Sequence, residues 1–532
     1  MTTSHESKAR AAGRGGVAVL GAKAFFIVSG LVQQTLLPRF IGLAGYGALS
    51  RVLAVANVLN NVVVASSVQG VSRAVARAGA DDGPTLRATL RVHVPIAVVL
   101  GALFALAAPS IARFEGAPHI AVPLAVVAGV VVCYGTYAPL IGALNGRAQF
   151  TRQAALDVTF AVLRTSGLVG LGYLFVRRGL NGTLGATVGF VSAAACIIPL
   201  ALRWTGIGRA GITADGATAS ALRPASYLGE LWPLAVAQLF TNAVMQVDIT
   251  LLGRFLSGAA GASELAGDAA ARAADEWVGV YRACQLFAFL PYQLLFSITQ
   301  VLFPMVARAK AEKDDDAVRA YVVRGARLGA IACGMMVSVV VAIPGSLLAF
   351  AYDGAIADRG QRTLRLLAVG QGAFALLGIG TTVLASLGRE RIAALISLGA
   401  LVMVTTSCWL FVPGRAFGEA QLGATATATC VALGCGLLAA ALTVRALAGG
   451  FVPLPTIARV GGALGLAMVV GSHLPRFSRV LTPLAAVAIV AVYVGFLFVT
   501  RELGPDDAAA LRGLVGRRAS RPGRPPPPSP KS

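Results

Sequence analysis

The sequence predicts an all-α, polytopic integral membrane protein with about fourteen transmembrane helices. These should form two six-helix lobes related by a pseudo-two-fold axis along the membrane normal, plus two C-terminal helices. Three observations predict this. Hydrophobic residues make up 56% of the chain and charged residues 13%, whereas globular domains carry about 25% charge. Apolar stretches of about 20 residues recur from end to end, each able to cross a hydrocarbon core of about 30 Å as a helix. Finally, one segment is written twice: L-L-P-R-F (36–40) precedes an apolar run marked by Arg51, Gln69 and Arg77, and L-L-G-R-F (251–255) precedes one marked by Arg282, Gln300 and Arg308.

The elements follow in order. Residues 1–16 form a basic leader, with Lys8, Arg10 and Arg14, that runs into the first span without a cleavage site. Spans centre near residues 28, 62, 100, 130, 165 and 193 in the first lobe (17–203). They centre near 242, 291, 335, 376, 402 and 432 in the second (229–449). Residues 204–228 are a Gly/Ala/Thr-rich connector. The last two spans centre near 464 and 490, within 450–502; the first of them is the weakest, bounded by Pro455 and Pro475.

The three polar marks keep one constant offset between copies, while the two R-F motifs align at a smaller one. The extra material therefore falls in 256–276, expected to be an acidic outer loop with Glu264, Asp268, Asp275 and Glu276. N-G-R (145–147) and L-G-R (387–389) echo the same repeat. A unit of six spans keeps both copies in one orientation, which sets the axis along the membrane normal. Residues 503–532 read as a basic amphipathic segment followed by a disordered Pro/Arg-rich tail.

The formal net charge of +22 follows topology rather than nucleic acid. With a cytoplasmic N-terminus, the inner segments hold about twice as many Lys and Arg as the outer loops. They include Arg73 to Arg91, Arg147, Arg152, Arg203 to Arg223, Arg308 to Arg324 and the tail. The seven cysteines make no C-x-x-C pair and read as small packing residues. The four histidines, His5, His93, His119 and His473, lie far apart and receive no chemistry. No interior loop could hold a catalytic domain, which argues against a membrane-embedded transferase.

Several stretches resemble the multidrug/oligosaccharidyl-lipid/polysaccharide (MOP) flippase superfamily, in particular its polysaccharide-exporter, O-antigen-flippase-like branch. They are L-L-P-R-F-I-G-L-A-G-Y-G-A-L-S (36–50), A-L-N-G-R-A-Q-F (143–150), V-D-I-T-L-L-G-R-F-L (247–256), V-G-V-Y-R-A (278–283), V-L-F-P-M-V-A-R (301–308) and L-A-S-L-G-R (384–389). The resemblance implies twelve core helices in two lobes plus two more, a cavity that faces alternately in and out, and export of lipid-linked sugars.

Candidate site residues are the ionisable groups deep in the bilayer, each costing about 2.5–3.5 kcal/mol on insertion scales unless paired or hydrated. Arg164 lies about 18 Å along the helix from Arg152 and from Arg177, near the midplane. Two readings stay open: a cation in a hydrated cavity that meets a pyrophosphate, or a structural pair with Asp157 two turns away. Lys23 sits roughly 13 Å in from Arg14, and its repeat partner is Gln238. Asp248 sits roughly 9 Å below Arg254, and its repeat partner is Gln33. It could titrate, hold a cation, or lock two helices through an arginine.

Amides including Gln33, Asn57, Asn61, Gln238, Asn242 and Gln285 concentrate in the repeated helix pairs. Such a lining suits sugar hydroxyls, though each amide can equally serve interhelical packing. Arg51 and Arg282 mark the outer interface, as anchors or as a cavity mouth. Arg51 to Arg77 measures about 39 Å of helix, more than the hydrocarbon core.

The expected activity is a flippase for undecaprenyl-pyrophosphate-linked oligosaccharide in the bacterial inner membrane, with both termini cytoplasmic. Alternatives are a MATE-like drug/cation antiporter and a lipid II flippase. No cofactor, metal or nucleic-acid partner is expected. A coupling ion, H+ or Na+, stays open, as do a polysaccharide polymerase and glycosyltransferases as partners.

Overall fold

Long apolar runs with few breakers become long helices, and glycine and proline set where they turn. The computed structural model describes residues 2–79, 82–207, 224–262 and 267–504, with the side chains of 2–20, 23, 224, 294–297, 300 and 301 outside that description. Among the described residues the fold is all helical. The first half holds α1 (Thr2–Ala78), α2 (Gly83–Phe114), α3 (Ala121–Gly146), α4 (Phe150–Arg177) and α5 (Gly182–Thr205). The second holds α6 (Pro224–Gly261), α7 (Asp268–Ala288), α8 (Leu290–Ala311), α9 (Asp315–Ala342), the short α10 (Pro344–Ala351), α11 (Gly354–Ser386), α12 (Glu390–Phe411) and α13 (Glu419–Ala448). Two more, α14 (Leu454–Ser472) and α15 (Thr482–Val499), follow.

Twelve helices are long and apolar enough to cross a membrane, so the chain is a multi-pass membrane protein. The first, Ala24–Ala78, has 55 residues, about 80 Å of helix and too long for one crossing. It breaks at Gly42 (φ 77, ψ 162), a conformation that only glycine adopts freely. The break divides α1 into two spans. Helices α7 and α8, which are not among the twelve, follow one another through Phe289, and Pro291 lies in the first turn of α8.

Other ends carry local signals. Asn181 caps α5 by accepting from Leu184 N at 3.1 Å, and Asp314 caps α9 by accepting from Ala317 N at 2.8 Å. The charged run after Arg308 is therefore a pair of helix ends rather than a free loop.

The two halves pack by the same plan. In the first, α1 lies on α3 and α4, α2 on α3, α3 on α5, and α4 on α5. In the second, α11 lies on α7 and α8, α12 on α6, α9 on α11, α11 on α13, and α12 on α13. Helices α14 and α15 pack on α9, at the flank of the second half. One core cluster draws its buried residues from 37–201 and another almost wholly from 249–451.

Every crossing reverses direction, so the loops gather at two ends. The Gly42 end holds the turns after α2, α4, α6, α9, α12 and α14 together with the short α10; the Arg147 end holds the turns after α1, α3, α5, α8, α11 and α13. At the Arg147 end, Arg147 Nη2 donates to Asp82 Oδ1 at 2.8 Å and Nη1 to Thr205 O at 2.7 Å. Glu502 fastens the last helices there, accepting from Arg327 Nε (2.8 Å), Thr456 Oγ1 (2.7 Å) and Arg459 Nη1 (2.8 Å). Burial alone would raise its pKa, but these donors together hold it below the usual carboxylate value.

Two expectations need correction. Residues 256–276 are not an acidic loop: α6 runs to Gly261 and α7 starts at Asp268, so Asp275 and Glu276 are helical. The connector likewise ends at Pro224, where α6 begins. The acidic residues misled because a helix end at a membrane surface tolerates charge as readily as a loop does. Residues 505–532 and Glu264 lie outside the described residues.

Candidate functional site

The halves meet along α1, which packs on both α6 and α7. The closest approach is between glycines. A Cβ on Gly47 would lie 1.7 Å from Asp275 O, and one on Gly279 2.9 Å from Leu43 O. Glycine at both positions lets the two backbones touch, as small residues do at membrane helix crossings.

The arginines of the duplicated motif reach across this seam in opposite directions. Arg39 donates from the first half to Ala351 O at 3.3 Å. Arg254 donates from the second half to Phe114 O. Its guanidinium stacks 4.4 Å from the Phe114 ring centroid and 5.3 Å from that of Trp409.

Arg51 forms the buried centre of the same end. It is fully buried, with Nε 3.0 Å from Asp275 Oδ1, and Nη1 donates to Ser257 Oγ at 2.9 Å. In this structure Arg51 is therefore part of a seal between the halves rather than exposed at a cavity mouth or an interface. The end of α2, α6 and α7 cover the guanidinium, which ties the halves together. Arg282 is not its equivalent. It is partly buried and donates to Gln285 Oε1 at 3.1 Å, and its charge acts on Asp248, Arg164 and Tyr46.

Further along the seam, Asp248 is buried and well supplied with donors. It accepts from Tyr281 Oη (2.8 Å), Gln285 Nε2 (3.1 Å) and its neighbour Ile249 N (2.7 Å). Asp248, Arg282 and Gln285, three expected site residues, thus form one cluster, which Tyr281 completes. A second cluster joins the halves through amides. Asn61 Nδ2 donates to Asn242 Oδ1 at 2.8 Å, and Asn242 Nδ2 donates to Gln238 O at 2.8 Å. Asn57 is partly buried on the same helix. Gln33 is buried, and its Nε2 has no partner. The side chain of Lys23 lies outside the described residues.

Arg164 stands apart. Its guanidinium lies over Phe26 and Phe190, 5.5 and 5.4 Å from the ring centroids. Next to it, Ser29 Oγ and Thr165 Oγ1 are 2.8 Å apart and join α1 to α4. Among the described residues Arg164 makes no ion pair, so of its two readings the pair with Asp157 is not formed here. Its Nε is buried without a hydrogen-bond partner.

The histidines also have roles that sequence reading missed. His93 Nε2 lies 2.8 Å from Tyr227 Oη, and His93 Nδ1 lies 3.0 Å from Ser67 Oγ, which bridges the halves near the Arg147 end. His119 Nε2 lies 2.7 Å from Asp275 Oδ2 at the other end. Nothing local marked either, since each partner comes from a distant helix. A groove of about 820 Å³ at the Gly42 end, lined by Arg113, Arg254, Trp409 and Arg415 among others, includes none of the expected site residues.

Two helical halves with one packing plan and a polar seam between them define a two-lobed, multi-pass membrane protein. Residues 14–310 match the family model described as "Polysaccharide biosynthesis protein". The chain belongs to that family, within the MOP flippase superfamily. No curated protein matches the sequence.

Among solved structures, the fold is similar to the lipid II flippase MurJ in an inward closed conformation (TM-score 0.71, 13% identity, 91% of this chain and 99% of that one). It is similar to an inward-facing multidrug-resistance MATE transporter of the MOP superfamily (TM-score 0.58, 15% identity, 81% and 98%). It is also similar to a MOP-superfamily transporter from Pyrococcus furiosus (TM-score 0.54, 15% identity, 82% and 96%). The protein is a MOP-superfamily flippase or transporter.

Proposed function

We propose that the protein translocates undecaprenyl-pyrophosphate-linked oligosaccharide across the bacterial inner membrane by alternating access. Lobes 17–203 and 229–449 rock against each other. The basic Arg147 end faces the cytoplasm with both termini, and the Gly42 end faces outward. The lipid tail stays in the bilayer while the anionic head crosses between the lobes.

The observation that carries this reading is Arg164: a cation in the middle of a span, with no ion pair among the described residues and with buried Nε unpartnered. Arg282 of the other half is near enough for the two charges to act on each other. Two cations, one from each half, suit an anionic head group such as a pyrophosphate. Lys23, Gln33, Asn57, Asn61, Gln238, Asn242 and Gln285 complete the proposed cavity, the amides meeting sugar hydroxyls. A coupling H+ or Na+ at Asp248 would have to displace the donors that Tyr281, Gln285 and Ile249 already supply. A polymerase and glycosyltransferases would act on either side of this step.

The test is surface-glycan export in a strain lacking its own exporter. Arg164→Ala should reach wild-type protein levels yet lose more than tenfold of export. Normal export would remove Arg164 from the cavity. Rescue of a strain lacking its lipid II flippase would instead name lipid II as cargo, and drug resistance in a sensitive host would name the antiporter reading.

A further inference from the structure

The outward seal holds one more acid than its arginine can neutralise. Glu115, just past the end of α2, is fully buried, and both of its carboxylate oxygens lack a hydrogen-bond partner among the described residues. An ionised carboxylate so placed is costly without a counter-charge. The groups around it come from every neighbouring element. From α1, Arg51 Nη1 donates to Glu115 O at 3.4 Å, but Arg51 is already paired with Asp275. From α7, Asp275 adds a like charge, and Glu276 is turned to Arg359 at 3.5 Å. From α6, Ser257 takes an Arg51 donor, and Arg254 is held over Phe114 and Trp409. From the short turn after α2, His119 faces Asp275. Arg113, on α2 itself, is exposed and folds back on Pro109 O and Ser110 Oγ.

We propose that Glu115 is a proton-binding site built into the outward seal: the sealed state holds it as the neutral acid, and opening lets it ionise. The inference rests on the reading that the lobes rock apart at this end. Arg51, Glu115 and His119 belong to the first half, Asp275 and Ser257 to the second. When the halves part, Arg51 loses Asp275, and its charge falls to Glu115. Water reaches the carboxylate, and its proton leaves to the outer side. The sealed state thus binds one proton that the open state releases.

Burial pushes the Glu115 carboxyl up to about 8; Arg51 partly offsets this and Asp275 adds to it. In the open, hydrated state the group returns towards the ordinary value of about 4.3. A raised value in the sealed state means that protonation favours sealing. Sealing is strongest below the open-state value, weakens as pH rises through the window up to about 8, and changes no further above it.

The test uses the full chain in phosphatidylethanolamine/phosphatidylglycerol nanodiscs. Spin labels sit at Leu180→Cys and Val480→Cys, two exposed outer-end positions on opposite halves, with the exposed Cys196 and Cys435 changed to Ser. Distances are read by electron paramagnetic resonance from pH 4 to 10. The long-distance population should rise with pH across that window and then level. Glu115→Gln should abolish the rise, while His119→Ala should retain it. A wild-type opening that ignores pH overturns the proposal, and that measurement needs no variant to fold. A rise that survives Glu115→Gln, or vanishes only with His119→Ala, also overturns it. Since lobe opening is seen directly, failure of the proton site is distinct from failure of the transport reading, in which no opening occurs at any pH.

Discussion

Arg164 in the first half and Asp248 in the second are both ionisable residues well inside long apolar helices, yet the structure treats them oppositely. Asp248 accepts three hydrogen bonds, from Tyr281, Gln285 and Ile249. Arg164 has two aromatic faces and, among the described residues, no carboxylate. A charge that its own fold satisfies is held still and contributes to the architecture. A charge that its fold leaves unsatisfied retains capacity for a ligand, because the desolvation it has suffered is not yet repaid by a partner. The contrast separates a residue that holds the seam from one that waits in it.

The largest effect that sharpens this contrast is functional. Arg164→Leu should abolish glycan export and leave thermal stability unchanged or raised, because a buried unpaired charge gives way to an apolar side chain. A large fall in Tm would mean that Arg164 is structural. Asp248→Ala should act in reverse, destabilising the protein by about 3 kcal/mol as Tyr281 and Gln285 lose a charged acceptor. Unfolding in detergent would measure this, and an unchanged midpoint would break the comparison.

Gly47→Ala should cost the sealed state about 1–3 kcal/mol through overpacking against Asp275 O. It should appear as a shift toward the long-distance population in the same labelled protein, and a population that stays sealed would contradict the tight crossing. The smallest effect belongs to Asn61→Ala, which removes one interhelical amide bond worth under about 1 kcal/mol. It should reduce export less than twofold.

The spans and their order were legible in the sequence, because hydrophobic length and helix-breaking residues act locally. The place of Arg164 midway along its helix was legible for the same reason: residue counts along one helix give a distance. Its partner was not. Asp157 lies on the same helix face, yet the guanidinium points to Phe26 and Phe190, which come from α1 and α5. Arg51 shows the limit most clearly. Its Ser257 and Glu115 contacts lie 206 and 64 residues away, and no local pattern links them. The repeat arithmetic that aligned Arg51 with Arg282 was sound for position and wrong for environment. Two copies of a helix share a register without sharing neighbours.

The sequence by itself determined that this chain crosses a membrane many times and that two copies of one plan lie in it. Those properties follow from burying apolar side chains in lipid and from satisfying backbone groups within each helix. Tertiary structure alone decided which polar groups find each other. Arg51 became a fastener because Asp275 of the other half reached it, Asp248 became a satisfied acid because α7 brought Tyr281 and Gln285, and Glu115 and Arg164 were left with polar atoms that no described residue partners. Pairing depends on helices meeting in space, and that is set by the packing of the whole bundle rather than by any one stretch of chain.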